Sequence, residues 1–352
     1  MLKTLKSLAH RTTGRASRPP SSATIRFAHE TDAEAINTLY NDPLARPDAA
    51  GIAPRSSAQW RWEFIEQANA NPAYLVAELE NRIVGTQGYI PIAFVRDGRL
   101  ISTGKDEDTL VHPDHRGRGL LDAMYRPLAQ RAESDGVALL WGFTRTAVEP
   151  LKRNDYVDVG LNDSMASSRW SIPDDQGGGL DVREWIDPDE QCDSFSLEFS
   201  RRVTGIMPHL TQRFLRWRIV ENPFRAYRML AAYVAGKLTG LAVFKLHDRR
   251  ETGFISELVA MPTARHSESI VLQALLRQGL LIFQNEGYHR VEARPSGMHP
   301  FNQRVRSLLK DLGFVEQPRA LASTFLIRPL MPEADHFLDM SQWRISEIMR
   351  EY

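Results

Sequence analysis

The sequence predicts an α+β chain in which one mixed unit is built twice. Three observations carry this. Several consecutive strand patterns precede a glycine-rich loop and a long helix. The same order of landmarks recurs, weakly, in the second half. Between the halves lies "SIPDDQGGGLDVREW", 171–185, with Pro173, paired acids and three consecutive glycines, as in a linker. The expected division is a basic segment at 1–23, a first domain at 24–170, the linker at 171–185, a second domain at 186–330 and a C-terminal tail at 331–352.

The 352 residues suffice for two domains of ordinary size. With 42% hydrophobic and 25% charged residues the composition is globular. Lys+Arg and Asp+Glu balance at 44 each, which argues against a nucleic-acid-binding protein. Cys192 is the single cysteine, so an intrachain disulfide and a cysteine-based metal site are both excluded, and no metal centre is expected. A reducing, cytoplasmic setting fits, and no apolar stretch approaches bilayer-spanning length. Residues 1–23 are basic and hold no acid, with Leu2, Leu5 and Leu8 at helical spacing. Three readings compete: a disordered basic tail, an amphipathic helix giving peripheral membrane contact through residues 1–20, and a transit peptide.

The elements follow in order. Thr24–Phe27 alternates like a strand, and Thr31 and Asp32 precede an N-capped helix carrying Ala33, Ile36 and Leu39. "SAQWRWEFIEQA" reads as a second helix. "AYLVAELENRIVGTQGYIPIAFV" reads as two strands around a polar turn at Glu80–Arg82, and "LISTGKDEDTLV" as a third. "LLDAMYRPLAQRAESDG" is helical and stops at Gly136, and Pro127 should bend it or shift its start. "VALLWGFT" is a buried strand, and "AVEPLKRNDYVDVG" a short helix and a strand. In the second half "RFLRWRIVENP" echoes "QWRWEFIEQANANP", "LAAYVAGKLTGLAVF" echoes the first strand pair, and "LKDLGF" echoes "LKRNDY". Val111 and Pro113 align with Val259 and Pro262, and Arg116 with Arg265.

The stretch "VHPDHRGRGLLDAM", 111–124, carries the chemistry. Gly117 and Gly119 lack a Cβ and let backbone approach a ligand. If a helix begins here, its first N–H groups and its dipole make an anion site, and Arg116 and Arg118 add charge suited to phosphate. The loop is neither a Walker loop nor a dinucleotide fingerprint. Taken alone it is equally a tight strand-to-helix turn with solvated arginines.

With the strand before it and the helix after it, the stretch closely resembles the cofactor motif of the GNAT acyltransferase superfamily, Val-x-Pro-x-x-Arg-Gly-x-Gly. Val111, Pro113, Arg116, Gly117 and Gly119 match as they stand. The resemblance is strong over roughly 24–165 and weaker beyond. It implies two GNAT-like mixed α/β domains, each a mostly antiparallel twisted sheet flanked by helices, with acetyl-CoA or another acyl-CoA as co-substrate. It also implies that the backbones of Leu110 and Val111 bind the pantetheine arm. Those of Arg116, Gly117, Arg118, Gly119, Leu120 and Leu121 would hold the pyrophosphate. Two departures stand out: Leu121 replaces a small residue, and Leu151 stands where the family often has the tyrosine that protonates the leaving thiolate. In the second half "RHSE" replaces the glycine loop, so that copy is expected to have lost its cofactor site.

The reaction needs a base for the amine and a donor for the oxyanion. "KDEDTLV" offers Asp106, Glu107 and Asp108, and regular alternation puts Glu107 on one face and Asp106 with Asp108 on the other. Asp108 and Glu107 are the candidate bases, and Tyr156 or Tyr125 the candidate acid in place of the missing tyrosine, each of them equally explained as a packed aromatic. A solvated strand end is the plainer explanation of the acids. The expected function is N-acyl transfer by direct attack of a small-molecule amine, an amino sugar or other metabolite. The alternatives are a non-catalytic acyl-CoA-binding or scaffold protein, or a transferase fed by a carrier protein or tRNA.

Overall fold

The computed structural model describes residues 23–47, 53–66, 73–175, 178–247, 251–331 and 336–350. The basic N-terminal segment, with its three readings, lies outside them.

The first half begins with β1 (Thr24–Phe27), α1 (Ala33–Tyr40) and α2 (Ser57–Phe64). β2 (Ala73–Leu79) and β3 (Arg82–Arg96) come next, joined at Glu80 and Asn81, whose φ of 51° and 60° suit a tight hairpin turn. Then come β4 (Arg99–Val111), α3 (Leu120–Ser134), β5 (Leu139–Thr144), α4 (Val148–Lys152), β6 (Val157–Asn162) and β7 (Met165–Ser167). α3 starts at Leu120 and runs through Pro127 to Ser134, so the proline shifts neither end, and Gly136 at φ 72° lies just beyond it. Asp32 precedes α1 but accepts from the His29 amide at 2.7 Å and pairs with Arg26, so it fastens the entry turn to β1 instead of capping the helix.

The second half has β8 (Asp181–Glu184), α5 (Gln191–Arg202), β9 (Met207–Pro208), α6 (Gln212–Leu215), β10 (Ala226–Val234), β11 (Lys237–Leu246) and β12 (Gly253–Ala260). It continues with α7 (Glu268–Asn285), β13 (Val291–Ala293), α8 (Pro300–Asp311), β14 (Val315–Glu316) and β15 (Ser323–Pro329). Two sheets result, each mostly antiparallel and flanked by helices, as the sequence predicts. Their orders are β1-β2-β3-β4-β5-β15-β6, with β9 added beside β3, and β14-β7-β13-β12-β11-β10-β8. The parallel pairs are β4 with β5 and β12 with β13.

The halves trade strands. β15, from the far end of the chain, lies between β5 and β6 of the first sheet. β7, the strand directly after β6, pairs with β13 and β14 of the second sheet. The boundary between the sheets therefore does not fall at 171–185: β7 precedes that segment, and β15 crosses back. The stretch expected as a C-terminal tail is also built in. Trp343 is fully buried, edge-on to Phe94 at 5.4 Å and to Phe325 at 5.0 Å. The Ile206 amide donates to the Gln342 carbonyl at 2.6 Å, and the Arg344 amide donates to the Ile206 carbonyl at 2.9 Å.

A fragment ending at residue 170 would expose the β5 and β6 edges and lack the buried Phe325, Leu326 and Ile327 of β15. It is expected to show no cooperative thermal transition by circular dichroism. In the full chain, Phe325→Ala should cost about 3–5 kcal/mol in chemical denaturation, as for a buried aromatic truncated in a core.

Candidate active site

β4 and β5 pair over only three positions, Thr103 to Lys105 against Leu139 to Trp141. Beyond them the strands part, and a cleft of about 680 Å³ opens between them. Asp106 to Val111 line one wall and Gly142 to Thr144 the other. The lining also takes in the loop residues Arg116, Gly117 and Gly119, the first turn of α3, Tyr40 at the end of α1, and Ala45 and Arg46 after it.

The loop is shaped by its glycines. Gly117 and Gly119 have φ of 73° and 74°, a backbone region costly for residues with a Cβ. Gly119 is the N-cap of α3 and has no side chain to satisfy the first N–H groups, so they remain directed toward the loop. A Cβ built on Gly117 would meet open space, so here conformation requires the glycine, and the space beside it is left for a ligand. Arg116 has another task than the one expected. Its Nε donates to the Val111 carbonyl at 2.9 Å and its Nη2 to the Ala45 carbonyl at 3.1 Å, which pins the loop to β4 and to the stretch after α1. Of the residues singled out for the cofactor, Leu110, Val111, Arg116, Gly117, Gly119, Leu120 and Leu121 line the cleft; Arg118 is exposed outside its lining.

The acids are redistributed by a bulge. Gly88 of β3 pairs with Glu107 and Thr86 with Leu110, so Asp108 and Thr109 together stand opposite Gln87. Asp108 takes φ 53°, and its carbonyl accepts from the Thr86 hydroxyl at 2.8 Å. The bulge resets the alternation. Glu107 and Asp108 turn to the side of α1 and α2, while Asp106 and Thr109 turn toward α3, where Thr109 meets the Tyr125 hydroxyl at 3.3 Å. The regular alternation expected from the sequence, with Asp106 and Asp108 together, does not hold.

Each acid has a different environment. Asp108 is held by two donors to one oxygen, Arg55 Nη1 and the Tyr74 hydroxyl, both at 2.6 Å. Arg55 is buried, bonds Asn37 at 2.7 Å, lies 3.7 Å from Glu63 and stacks over Tyr40 at 3.5 Å. Burial of Glu63 pushes its carboxyl up, against the pull of Arg55. Glu107 is more open, with 21% side-chain exposure against 5% for Asp108, and it pairs with the buried Lys105. Asp106 is buried at the point where β4 and β5 separate, and burial pushes its carboxyl up to about 7. Tyr156 lies behind it, buried and outside the cleft lining, and stacks edge-on against Tyr125 at 5.5 Å. Leu151 lines the cleft on α4, so the position where the family often places its tyrosine offers no proton.

Residues 24–156 match the profile of the acetyltransferase (GNAT) domain. That part of the chain is a GNAT acetyltransferase domain. No curated protein matches the chain. Solved structures resemble it along most of its length. One is a tandem GNAT protein from the clavulanic acid biosynthesis pathway, at 15% identity and TM-score 0.59, covering 89% of this chain and 100% of that one. A probable N-acyltransferase of unknown function from Enterococcus faecalis V583 has 12% identity and TM-score 0.63, covering 88% and 72%. A GCN5-related N-acetyltransferase from Sphaerobacter thermophilus has 17% identity and TM-score 0.55, covering 93% and 100%. At these identities the likeness is one of fold: two GNAT-like units in tandem.

The second GNAT-like unit repeats the splay and fills it. β12 and β13 pair from Gly253 to Ile255 and then part. Ile345, Ser346 and Glu347 of the C-terminal segment lie in the gap, which retains only about 20 Å³, room for roughly one water. Arg344 makes a bidentate pair with Glu257 at 2.7 and 2.8 Å, Ser346 donates to the same carboxylate at 2.9 Å, and Asn302 donates to the Ile345 carbonyl at 2.8 Å. At the loop, Ser267 caps α7 by accepting from Ile270, and Glu268 in its first turn pairs with Arg304. The groups that remain open in the GNAT domain are satisfied internally here.

Arg55 could not have been found from a motif; the bulge brings it to Asp108 from 53 residues away. Arg55→Ala would leave Asp108 and Glu63 buried without their counter-charge, and should cost about 3–5 kcal/mol in urea unfolding. Asp106 gives a prediction of opposite character. Its folded pKa lies above the usual carboxylate value, so the native state holds a proton the unfolded state has lost. Wild type should lose stability, relative to Asp106→Asn, as pH rises from about 4 to about 7. The gap should grow by up to about 4 kcal/mol in urea unfolding series.

Proposed function

We propose that the chain moves an acetyl or other acyl group from acyl-CoA to a small-molecule amine, such as an amino sugar or another metabolite, by direct attack. The observation that carries this reading is the open splay between β4 and β5, closed at one end by the uncapped start of α3. The residues fit acyl-CoA. The cleft-lining residues Leu110 and Val111 suit the pantetheine arm, with the Val111 carbonyl already taken by Arg116, and the N–H groups from Gly117 to Leu121 suit the pyrophosphate. When bound, acyl-CoA supplies an activated thioester. The protein orients it along β4, keeps the reacting end among buried groups and removes a proton from the amine. Glu107 is the base we favour, because it is more open to the cleft than Asp108, which Arg55 and Tyr74 hold by two hydrogen bonds to one oxygen. Asp108 then shapes the bulge and keeps β4 splayed.

A non-catalytic acyl-CoA-binding protein is the second reading, and Leu151 favours it, since that position offers no acid for the leaving thiolate. Thiol release decides between the two. Acetyl-CoA incubated with a panel of amines, amino sugars included, should release free thiol only when an acceptor is present. Binding without release would support the second reading.

Acetyl-CoA should raise the melting temperature, and Gly117→Glu should abolish the rise by filling the open space and adding negative charge beside the pyrophosphate position. Calorimetric titration should give one acyl-CoA per chain, because the C-terminal segment fills the second splay. A stoichiometry of two would contradict that role for residues 344–347.

A further inference from the structure

We infer that Asp106 is the catalytic acid that protonates the departing CoA sulfur, in place of the tyrosine that Leu151 replaces. This rests on the acyl-transfer reading and assigns its missing proton donor. Three features of the structure lead to it.

The first is position. Asp106 comes directly after Lys105, the last residue of β4 paired with β5, so its side chain stands at the root of the splay and lines the cleft. Gly142 faces it from β5; a Cβ there would lie 3.4 Å from that of Asp106, so the bare backbone of Gly142 keeps the root narrow but passable. The second is an uncommitted oxygen. Asp106 Oδ1 receives only a long bond from Gln87 Nε2, at 3.4 Å, and Oδ2 is buried without a hydrogen bond of ordinary geometry, the Tyr156 hydroxyl acting on the carboxyl from nearby. A buried carboxyl oxygen without a partner is costly unless it carries a proton or meets a ligand. The third is the surroundings. The Tyr156 hydroxyl, from the stretch before β6, acts on the carboxyl, Tyr125 of α3 lies close enough to couple to it while its own hydroxyl meets Thr109, and Arg328 of β15 and Lys105 of β4 are the cations acting on it. Burial outweighs them, so the group holds its proton up to about pH 7. The Tyr156 hydroxyl, itself buried without another partner, eases the carboxylate form once the proton has left.

The step balances with two carboxyl groups. Glu107 takes a proton from the amine nitrogen as the new C–N bond forms. Asp106 then gives its proton to sulfur as the C–S bond breaks and the bonding pair leaves with the sulfur. Exchange with water restores both groups before the next turnover. Asp106 and Glu107 lie on opposite faces of β4 because the strand is regular up to the bulge, so donor and acceptor approach the reacting carbon from different sides.

The test uses the full chain and its Asp106→Asn, Asp106→Glu and Tyr156→Phe variants. Calorimetric titration of free CoA at pH 7, in buffers of differing ionisation enthalpy, reads protons taken up on binding. Wild type should take up a fraction of a proton as the thiol end shields Asp106, and Asp106→Asn should take up none. In turnover, Asp106→Asn should lose roughly 100-fold or more in kcat, with KM for acetyl-CoA and Kd for CoA within about threefold of wild type. The fall in kcat above neutral pH should vanish with Asn and return with Glu. Tyr156→Phe should move that fall to higher pH, because the carboxylate loses the hydroxyl that eases it. Equal proton uptake in wild type and Asp106→Asn, or kcat within threefold, would overturn the assignment while leaving acyl transfer intact. Wild-type protein that binds CoA but releases no thiol with any amine would instead remove the transferase reading, and this assignment with it.

Discussion

The structure turns on how briefly β4 and β5 stay together. A parallel pair normally gains from every added residue of ladder, yet this one stops after three. Beyond the third pair, each strand continues as backbone that has left its partner while still enclosed by the domain. Such backbone needs another partner, because buried N–H and C=O groups left unpaired are costly. The bulge at Asp108 makes the separation a built feature. An extra residue bends β4 away, the Thr86 hydroxyl takes up the Asp108 carbonyl, and the Arg55 and Tyr74 donors hold the side chain that the bulge turns outward. The buried ion pair is therefore best understood as a device for geometry. Its net contribution to stability is small by comparison with what breaking it would cost.

The second unit serves as an internal control. It has the same parallel pair, the same early parting, and a register shift in β12 next to an acid, Glu257. There the vacated backbone and the acid are satisfied by the chain itself. Arg344 plays toward Glu257 the part that Arg55 plays toward Asp108, but it arrives on a segment that also fills the gap. Ser267 does for α7 what nothing does for α3. One unit pairs its polar groups internally and the other leaves them facing a cavity. The strand exchange then makes the two inseparable, since β15 completes the sheet that carries the cleft and the segment after it closes the second splay.

How much the sequence disclosed depends on how local each feature is. The loop at 111–121, the turn at Glu80–Asn81, the end of α3 near Gly136 and the loss of the second loop all depend on a few adjacent residues, and all are where the residues place them. The trade of β7 and β15 could not be read, because strand patterns show that a segment pairs but not with which sheet. The tail beyond residue 331 carried no periodicity, and its packing depends on partners at Ile206, Phe94 and Glu257. The acids of "KDEDTLV" were visible, but their directions were not. Period-two reasoning assumes a regular ladder, and one extra residue reverses every assignment beyond it.

That reversal bears on chemistry as much as on register. Three consecutive acids in a buried strand would be destabilising if they shared one environment, through mutual repulsion and burial together. Regular alternation sets Asp106 on the face opposite Glu107, and the bulge turns Asp108 to the side of Glu107, where it finds partners of its own. Asp108 is held by Arg55 and Tyr74, Glu107 pairs with Lys105, and Asp106 is enclosed among tyrosines where its neutral form is favoured. Acid–base catalysis of acyl transfer needs one group ready to accept a proton and another ready to give one at the same pH. Neighbouring carboxyls of the same chemical type can meet both needs only if the fold drives their pKa values apart. Burial raises the Asp106 carboxyl on one face of β4 while Glu107 on the other stands paired with Lys105, and the bulge just beyond them bends β4 away to open the space in which the reaction is proposed to occur.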